Sequence, residues 1–292
     1  MRAAHPTAER RPTTSRLLTG AILGLASLIG LVALFYPFVS PPATPASLGP
    51  SAHSQDAPLI TVGLVALCLG AVLATLGNDG AGQGAFAPDE ASGGMNARMV
   101  AILGVLTAVN AVLRAVPGPA GFAAVFMLPV LCGYAYGSTF GFLLGALSIL
   151  VSALIGAGVG PWLPFQMFVT GWVGLTSGWL PRLRRWPRAE VAMLGSWGLI
   201  WGFAFGALLN LWFWPYVFQA QQAEMYWQPG VGLAEGLRRY AAFYVVTSLW
   251  WDVGRAAGNA GLTWLLGRPL LRLLRRFEAR FRFVVVEVEG EG

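Results

Sequence analysis

Two charged residues lie inside an otherwise uncharged apolar segment near the end of the chain. Asp252 and Arg255 are three residues apart, so on a helix they share a face and can form an ion pair, and Asn259 continues that face by one turn. A lone charge at the centre of a bilayer costs at least ~2.5–3.5 kcal/mol on insertion scales, and pairing lowers this cost. The spacing therefore predicts a strut between helices, with a substrate contact or a partner-sensing switch as the alternatives.

Six further residues, four polar and two aromatic, lie near one end of the predicted helices. They are Asn110, Arg114, Trp162, Gln166, Asn210 and Trp214. A few polar groups set in aromatic walls are typical of small-molecule sites. We therefore predict a substrate-binding site there. The alternative is interhelical hydrogen bonding, with the tryptophans in an aromatic belt at the membrane interface.

Residue types that catalyse reactions or bind metals are scarce. His5 and His53 both lie outside the apolar segments, and the chain has no lysine to complete a nucleotide-binding Gly-x-x-x-x-Gly-Lys motif. One acid at membrane depth is too few for a two-metal site or a carboxylate pair. Cys68 and Cys132 sit in apolar stretches, which favours core packing. We expect no enzyme, no metal and no cofactor, and any ATP hydrolysis must occur in another chain.

The elements that position these residues are eight apolar stretches. The chain is 56% hydrophobic and 11% charged, whereas a soluble protein carries roughly 25% charged residues. The stretches are 17–38, 59–76, 99–113, 122–137, 139–155, 161–180, 191–214 and 240–266. Most approach the ~20 residues that a helix needs to cross a bilayer, and their apolar character is continuous rather than alternating. We predict an all-α integral membrane protein with eight spans.

The placement of the arginines predicts the orientation of these spans. All 19 basic residues are arginine. Clusters precede the first stretch and follow the sixth and eighth, and Arg98 opens the third, whereas only Arg114, Arg238 and Arg239 fall on the opposite side. Because positively charged loops stay inside, both termini are predicted to be cytoplasmic in a multi-pass cell-membrane protein. The net charge of +6 then reflects topology and contact with anionic lipid of the bilayer, and nucleic-acid binding is not expected.

Composition divides the chain into four parts. Residues 1–80 are predicted to form an arginine-bearing cytoplasmic tail and a transmembrane hairpin, followed by a flexible Gly/Ala/Asp-rich cytoplasmic linker at 81–96. Residues 97–276 are predicted to form a six-helix substrate-binding core, and 277–292 a cytoplasmic tail.

Stripes of small residues repeat every three or four positions on several predicted helices. On the third they are Ala97, Ala101, Gly104 and Ala108; on the fifth, Gly137, Gly141 and Gly145 repeat at four, and Ser148 and Ser152 follow on another face. Small residues let helix backbones approach closely in lipid. Each stripe predicts either packing inside the bundle or a docking face for another membrane protein, and the stripe at 97–108 is long enough for partner contact.

Residues 97–276 resemble a substrate-binding S component of an energy-coupling factor (ECF) vitamin importer. The resemblance rests on six short-connected helices, the small-residue helix at 97–108, the glycine-rich segment 133–145, the segment Gly-Val-Gly-Pro-Trp-Leu-Pro-Phe-Gln at 158–166, and Trp-Asp-Val-Gly-Arg-Ala-Ala-Gly-Asn at 251–259. The N-terminal hairpin is additional to the family's six helices.

The resemblance implies that the chain binds a vitamin from outside, with a cobalamin-like compound as the first guess and the loop 115–121 as a lid. It also implies a membrane coupling protein and two cytoplasmic ATPases as partners. Residues 97, 101, 104 and 108 would contact the coupling protein. The competing hypothesis is a self-contained secondary transporter with Asp252 as its proton site, although no inverted repeat is visible in the sequence.

Overall fold

The fold is described from a computed structural model, for residues 14–39, 56–76, 97–115, 118, 122, 124–218 and 220–280. The regular structure of these residues is helical. The α-helices are α1 (Thr14–Val39), α2 (Asp56–Leu76), α3 (Ala97–Ala115), α4 (Met127–Tyr136), α5 (Ser138–Ser152), α6 (Leu163–Ser177), α7 (Pro187–Phe213), α8 (Leu233–Thr247) and α9 (Leu249–Arg280). A π-helical turn, Ala153–Ala157, extends α5, and 3-10 turns at Trp214–Tyr216 and Ala220–Met225 follow α7.

Five helical segments in the described part of the chain are long and apolar enough to cross a membrane. They are Leu17–Val39, Asp56–Ala74, Ala97–Ala115, Ser138–Ala157 and Pro187–Tyr216. They correspond to five of the eight predicted stretches. The predicted stretch at 122–137 contains only the ten residues of α4, Met127–Tyr136. The helical membrane character is therefore confirmed, whereas the number of spans and their orientation stay predictions.

The last predicted stretch, 240–266, is wrong as a single helix. α8 ends at Thr247, Ser248 leaves helical geometry with φ −129° and ψ −33°, and α9 starts at Leu249. Residues 97–276 therefore contain seven α-helices among the described positions, and their division into six membrane spans stays a prediction. Apolar residues continue across the junction, so the hydropathy pattern carries no sign of the break. The predicted tail from 277 begins as the last turn of α9, and the linker 81–96 lies outside the described residues.

Glycines bring α4, α5 and α6 into backbone contact. A Cβ atom added to Gly133 or Gly141 would collide with the backbone of Gly174, and one added to Gly145 would collide with the backbone of Thr170. The turn between α4 and α5 passes through Gly137, whose φ of 99° lies in the left-handed region. The three helices therefore pack backbone to backbone at these positions.

The N-terminal hairpin packs on α6 and is closed at one end by a hydrogen bond. The Tyr36 hydroxyl donates to Oδ2 of Asp56 at 2.6 Å, which joins the end of α1 to the start of α2. Trp172 of α6 donates its indole N–H to Ser27 Oγ of α1 at 3.1 Å, and the ring of Phe168 lies against Gly30. The hairpin is thus part of the folded bundle, although its division from residues 97–276 remains a compositional prediction.

Candidate functional site

Two polar side chains of α3 face two serines of α5 in matching register. Asn110 Nδ2 donates to Ser148 Oγ at 2.8 Å, and one turn further Arg114 Nη1 donates to Ser152 Oγ at 2.6 Å. These two hydrogen-bonded pairs lie one helical turn apart on the same faces of α3 and α5, because positions i and i+4 share a face of a helix. Each serine hydroxyl donates in turn to a carbonyl of its own helix, Ser148 to Gly145 at 3.0 Å and Ser152 to Ile149 at 2.8 Å.

Arg114 also reaches α6. Its Nη2 atom donates to Gln166 Oε1 at 2.6 Å. Gln166 lies in the first turn of α6, where its backbone N–H donates to the carbonyl of Trp162 at 3.0 Å. Arg114, Gln166 and Trp162 are all half-buried. The structure therefore joins two of the six predicted binding residues, Arg114 and Gln166, across α3 and α6. Asn110 and Trp162 lie one helical turn before them along the chain.

The other two predicted binding residues make their described contacts with α8 and α9 and with the segment after α7. Asn210 of α7 exchanges hydrogen bonds with Ser248, donating at 2.7 Å and accepting at 3.0 Å, and so holds the junction of α8 and α9. Trp214 packs in an aromatic cluster with Tyr240 and Phe243, and its indole N–H donates to the carbonyl of Met225 at 2.9 Å. No described hydrogen bond connects this group to Arg114.

Sequence reasoning missed the two serines of α5 as functional partners. Ser148 and Ser152 were assigned to a small-residue face, and both are buried. The available signal was their spacing of four, which equals that of Asn110 and Arg114. Ser248 was missed for a different reason, because it lay inside what the hydropathy pattern predicts to be a continuous helix.

The polar residues of α9 form a second group next to α7. Arg255 forms an ion pair with Asp252, and its guanidinium lies 4.9 Å from the centre of the Phe205 ring. Asp252 is only 1% exposed and packs against Gly206, where a Cβ atom would collide with its carboxylate. The pair therefore contacts α7 at Gly206 and Phe205, and its role as a strut between helices stays a prediction.

Two buried asparagines hold the segment that leads into α4. Asn110 donates to the carbonyl of Val125 at 3.2 Å from one side, and Asn259 Oδ1 accepts the N–H of Phe126 at 2.9 Å from the other. The Phe122 ring lies on Gly258 of α9, a position with no room for a Cβ atom. Of the predicted lid 115–121, only 115 and 118 belong to the described residues.

The small residues of α3 face outward. Ala97, Ala101, Gly104 and Ala108 are all exposed, and a Cβ atom at Gly104 would meet no atom within 4 Å. The opposite face of α3 is buried and carries Met99, Leu103, Thr107 and Asn110. One helix therefore presents a smooth outer face and a polar inner face.

Near the start of α8, two arginines surround one carboxylate. Arg238 and Arg239 donate to Glu235 at 2.7 and 2.8 Å, and these contacts hold the pKa of the exposed Glu235 carboxyl at about 2. A search of the described residues finds no group of three or more His, Cys, Asp or Glu side chains placed to hold a metal ion.

These features define a helical membrane protein with a polar cluster enclosed by three of its helices. Residues 98–266 match the family described as ECF transporter, substrate-specific component. The match covers more than half of the chain, and the chain belongs to this family. It is a multi-pass plasma-membrane protein that acts as the substrate-binding subunit of an ECF importer, takes a small-molecule substrate and has the ECF module as its partner.

Subunits of this family bind substrate and are not themselves enzymes. No curated protein and no solved structure matched the chain.

Proposed function

We propose that this subunit captures a vitamin or related micronutrient at its extracellular end, through the cluster of Arg114, Gln166 and Trp162. The observation that carries the proposal is the direct hydrogen bond between Arg114 and Gln166, which joins α3 to α6 within the region that matches the family. Both side chains are half-buried, so they are partly shielded from water and still accessible from one side. Such positions suit the few orienting polar groups of a small-molecule site.

Asn110 and Asn210 complete the proposal in supporting roles. Asn110 is fully buried and holds both Ser148 and the carbonyl of Val125, so it positions the entry to α4 beside Arg114. Asn210 and Trp214 fix the junction of α8 and α9 and the aromatic cluster near it. A cobalamin-like compound is the first ligand to test, because aromatic side chains are abundant at this end of α7.

Partner contact is assigned to the outer face of α3. Ala97, Ala101, Gly104 and Ala108 are exposed together, and small residues are what close helix–helix contact in lipid requires. A transmembrane coupling protein would dock there, and two cytoplasmic ATPases would supply the energy. Because Asn110 and Arg114 lie on the same helix, a movement of α3 against the coupling protein would also displace these two side chains of the substrate cluster.

Reconstituted uptake tests this proposal. Proteoliposomes that contain the subunit, the coupling protein and both ATPases are expected to import radiolabelled vitamin on addition of ATP, and Gln166→Ala is expected to weaken binding by about tenfold, the loss of one hydrogen bond to a charged group. The variant Gln222→Ala, outside the cluster, is the matched control. Uptake by the subunit alone, lost in Asp252→Asn, would overturn the proposal in favour of a proton-coupled transporter.

A further inference from the structure

Arg114 differs from the other half-buried arginines in lacking a carboxylate partner. Among the residues whose burial is described, the half-buried arginines are Arg114, Arg239, Arg255 and Arg275. The last three pair with Glu235, Asp252 and Glu190 respectively. No carboxylate of the described residues pairs with Arg114, whose hydrogen bonds go to the neutral oxygens of Ser152 and Gln166.

The sequence around Arg114 offers no hidden acid. Segments 116–117, 119–121 and 123, next to it in the chain, contain neither aspartate nor glutamate, and the same holds for 40–55, the loop predicted on the same side. The remaining acids of that side do not pair with Arg114. Glu224 is exposed and interacts electrostatically with Arg238. Asp56 accepts from Tyr36, and Glu235 accepts from Arg238 and Arg239.

A guanidinium in this setting keeps both its charge and part of its hydrogen-bonding capacity. It has five N–H groups, and the two bonds described for it hold its plane against α5 and α6. A charge removed from water is costly without an opposite charge nearby, and a planar fork of donors fits a carboxylate or phosphate in two-point contact. Ser152 and Gln166 accept from the fork without neutralising it.

Resting on the proposed function, we infer that the substrate is anionic and that Arg114 binds its carboxylate or phosphate group. The neutral partners hold the guanidinium in place, and the substrate supplies the missing charge. The cluster thus selects acids over their amides or alcohols. A phospholipid headgroup has the same chemistry as a phosphate-bearing solute, so the experiment separates the two sources.

The experiment uses the bare functional group as its probe. The full chain, purified in maltoside detergent, is titrated with sodium acetate and with sodium phosphate at constant ionic strength set by chloride, with acetamide as the neutral control, and its thermal unfolding is followed. A ligand that binds only the folded state raises the midpoint. We expect acetate or phosphate, and not acetamide, to raise it in the wild type.

Two substitutions assign the effect to Arg114. In Arg114→Gln the half-saturating concentration of the anion should rise about ten- to a hundredfold, the loss of a hydrogen bond between charged groups, while Arg114→Lys should keep part of the response because it keeps the charge. Arg238→Gln, an exposed arginine already paired with Glu235, should leave the response unchanged. If Arg114→Gln does not fold, the response of Arg114→Lys to the anion is compared with that of Arg238→Gln. A weaker response in Arg114→Lys alone supports the inference, and equal responses overturn it.

Three results would overturn the inference. They are no response of the wild type to acetate or phosphate, an equal response in Arg114→Gln, and a response to added phosphatidylglycerol in place of the soluble anions, which would assign the charge to lipid. Binding of matched pairs such as nicotinate and nicotinamide, or riboflavin 5′-phosphate and riboflavin, then separates the two proposals. Tight binding of a neutral member alone overturns the anionic substrate and leaves the proposed function standing.

Discussion

Small-residue stripes on α3 and α5 have nearly the same spacing and lie in opposite environments. On α5, Gly141 and Gly145 press on the backbone of α6 at Gly174 and Thr170. On α3, Gly104 has nothing within 4 Å of an added Cβ atom, and the rest of its stripe is exposed as well. The spacing of small residues therefore indicates that a helix face is smooth, but it does not indicate whether another helix of the bundle already packs on that face.

The difference assigns the two stripes different roles. A covered stripe serves the stability of the bundle, because every backbone contact it makes is lost when the helices separate. An open stripe makes no such contact within the described residues, and the role proposed for it is contact with the coupling protein. Substitutions that enlarge one side chain on each stripe should therefore separate stability from assembly.

The largest effect on stability is expected for Gly141→Leu. The new side chain would have to occupy space filled by the backbone at Gly174, which a rotamer change cannot relieve. Overpacking a core costs about 1–3 kcal/mol, and a backbone contact belongs at the upper end, about 3 kcal/mol. Thermal unfolding of the purified variant in detergent measures it. An unfolding midpoint equal to that of the wild type would show that α5 and α6 do not approach as described.

A smaller loss is expected for Ser148→Ala, which removes a polar partner from inside the bundle. Asn110 is fully buried, and without the serine its Nδ2 group keeps only the carbonyl of Val125 at 3.2 Å. Leaving a buried donor without its partner costs about 1–3 kcal/mol, so we expect about 2 kcal/mol in the same unfolding assay. The variant Ser148→Thr, which retains a hydroxyl, is the control. If both variants unfold alike, the hydroxyl is not the source of the effect.

These serines show where prediction from sequence ends. The pairs 110/114 and 148/152 are each visible as i, i+4 spacing, which is a local property of one helix. That the two pairs meet depends on how α3 packs on α5 across 38 residues of chain, and no periodicity encodes that register.

The same distinction, between contacts within one helix and contacts between helices, holds for other parts of the fold and site. The ion pair of Asp252 and Arg255 was predictable because both residues lie on one helix. The hydrogen bond between Asn210 and Ser248 was not, because it depends on how α7 packs beside the junction of α8 and α9. For the same reason the sequence does not predict that Asn210 bonds to Ser248, and its place in the binding site stays a prediction.

Ser152→Ala should cost less than Ser148→Ala, although the substitution is the same. Arg114 is half-buried and keeps its hydrogen bond to Gln166 at 2.6 Å, and water can replace the lost acceptor. We expect about 0.5–1 kcal/mol, the net value of an ordinary hydrogen bond. Unfolding of the two variants side by side checks the order. A larger loss for Ser152→Ala would mean that the Arg114 end of the cluster is the more deeply enclosed one.

The smallest effect on stability, with a large effect on assembly, is expected for Gly104→Leu. No described atom lies within 4 Å of a Cβ at this position, so the substitution should lower the unfolding free energy by no more than about 0.5 kcal/mol. The higher helix propensity of leucine acts in the opposite direction and stabilises the helix. A helix of the coupling protein packed against the stripe at Ala101 and Ala108 would be pushed away. Copurification of the coupling protein and ATP-dependent uptake should fall at least about tenfold.

Val109→Leu is the matched control for that experiment. Val109 is exposed on α3, on another face from Gly104, with 45% of its surface accessible. If the outer stripe is the docking face, this substitution should leave both assembly and uptake close to wild type. Equal loss in the two variants would mean that α3 is sensitive to bulk all round. No loss in Gly104→Leu would move the contact with the coupling protein to another helix and leave the open stripe without a function, while the covered stripe of α5 would keep its role in stability.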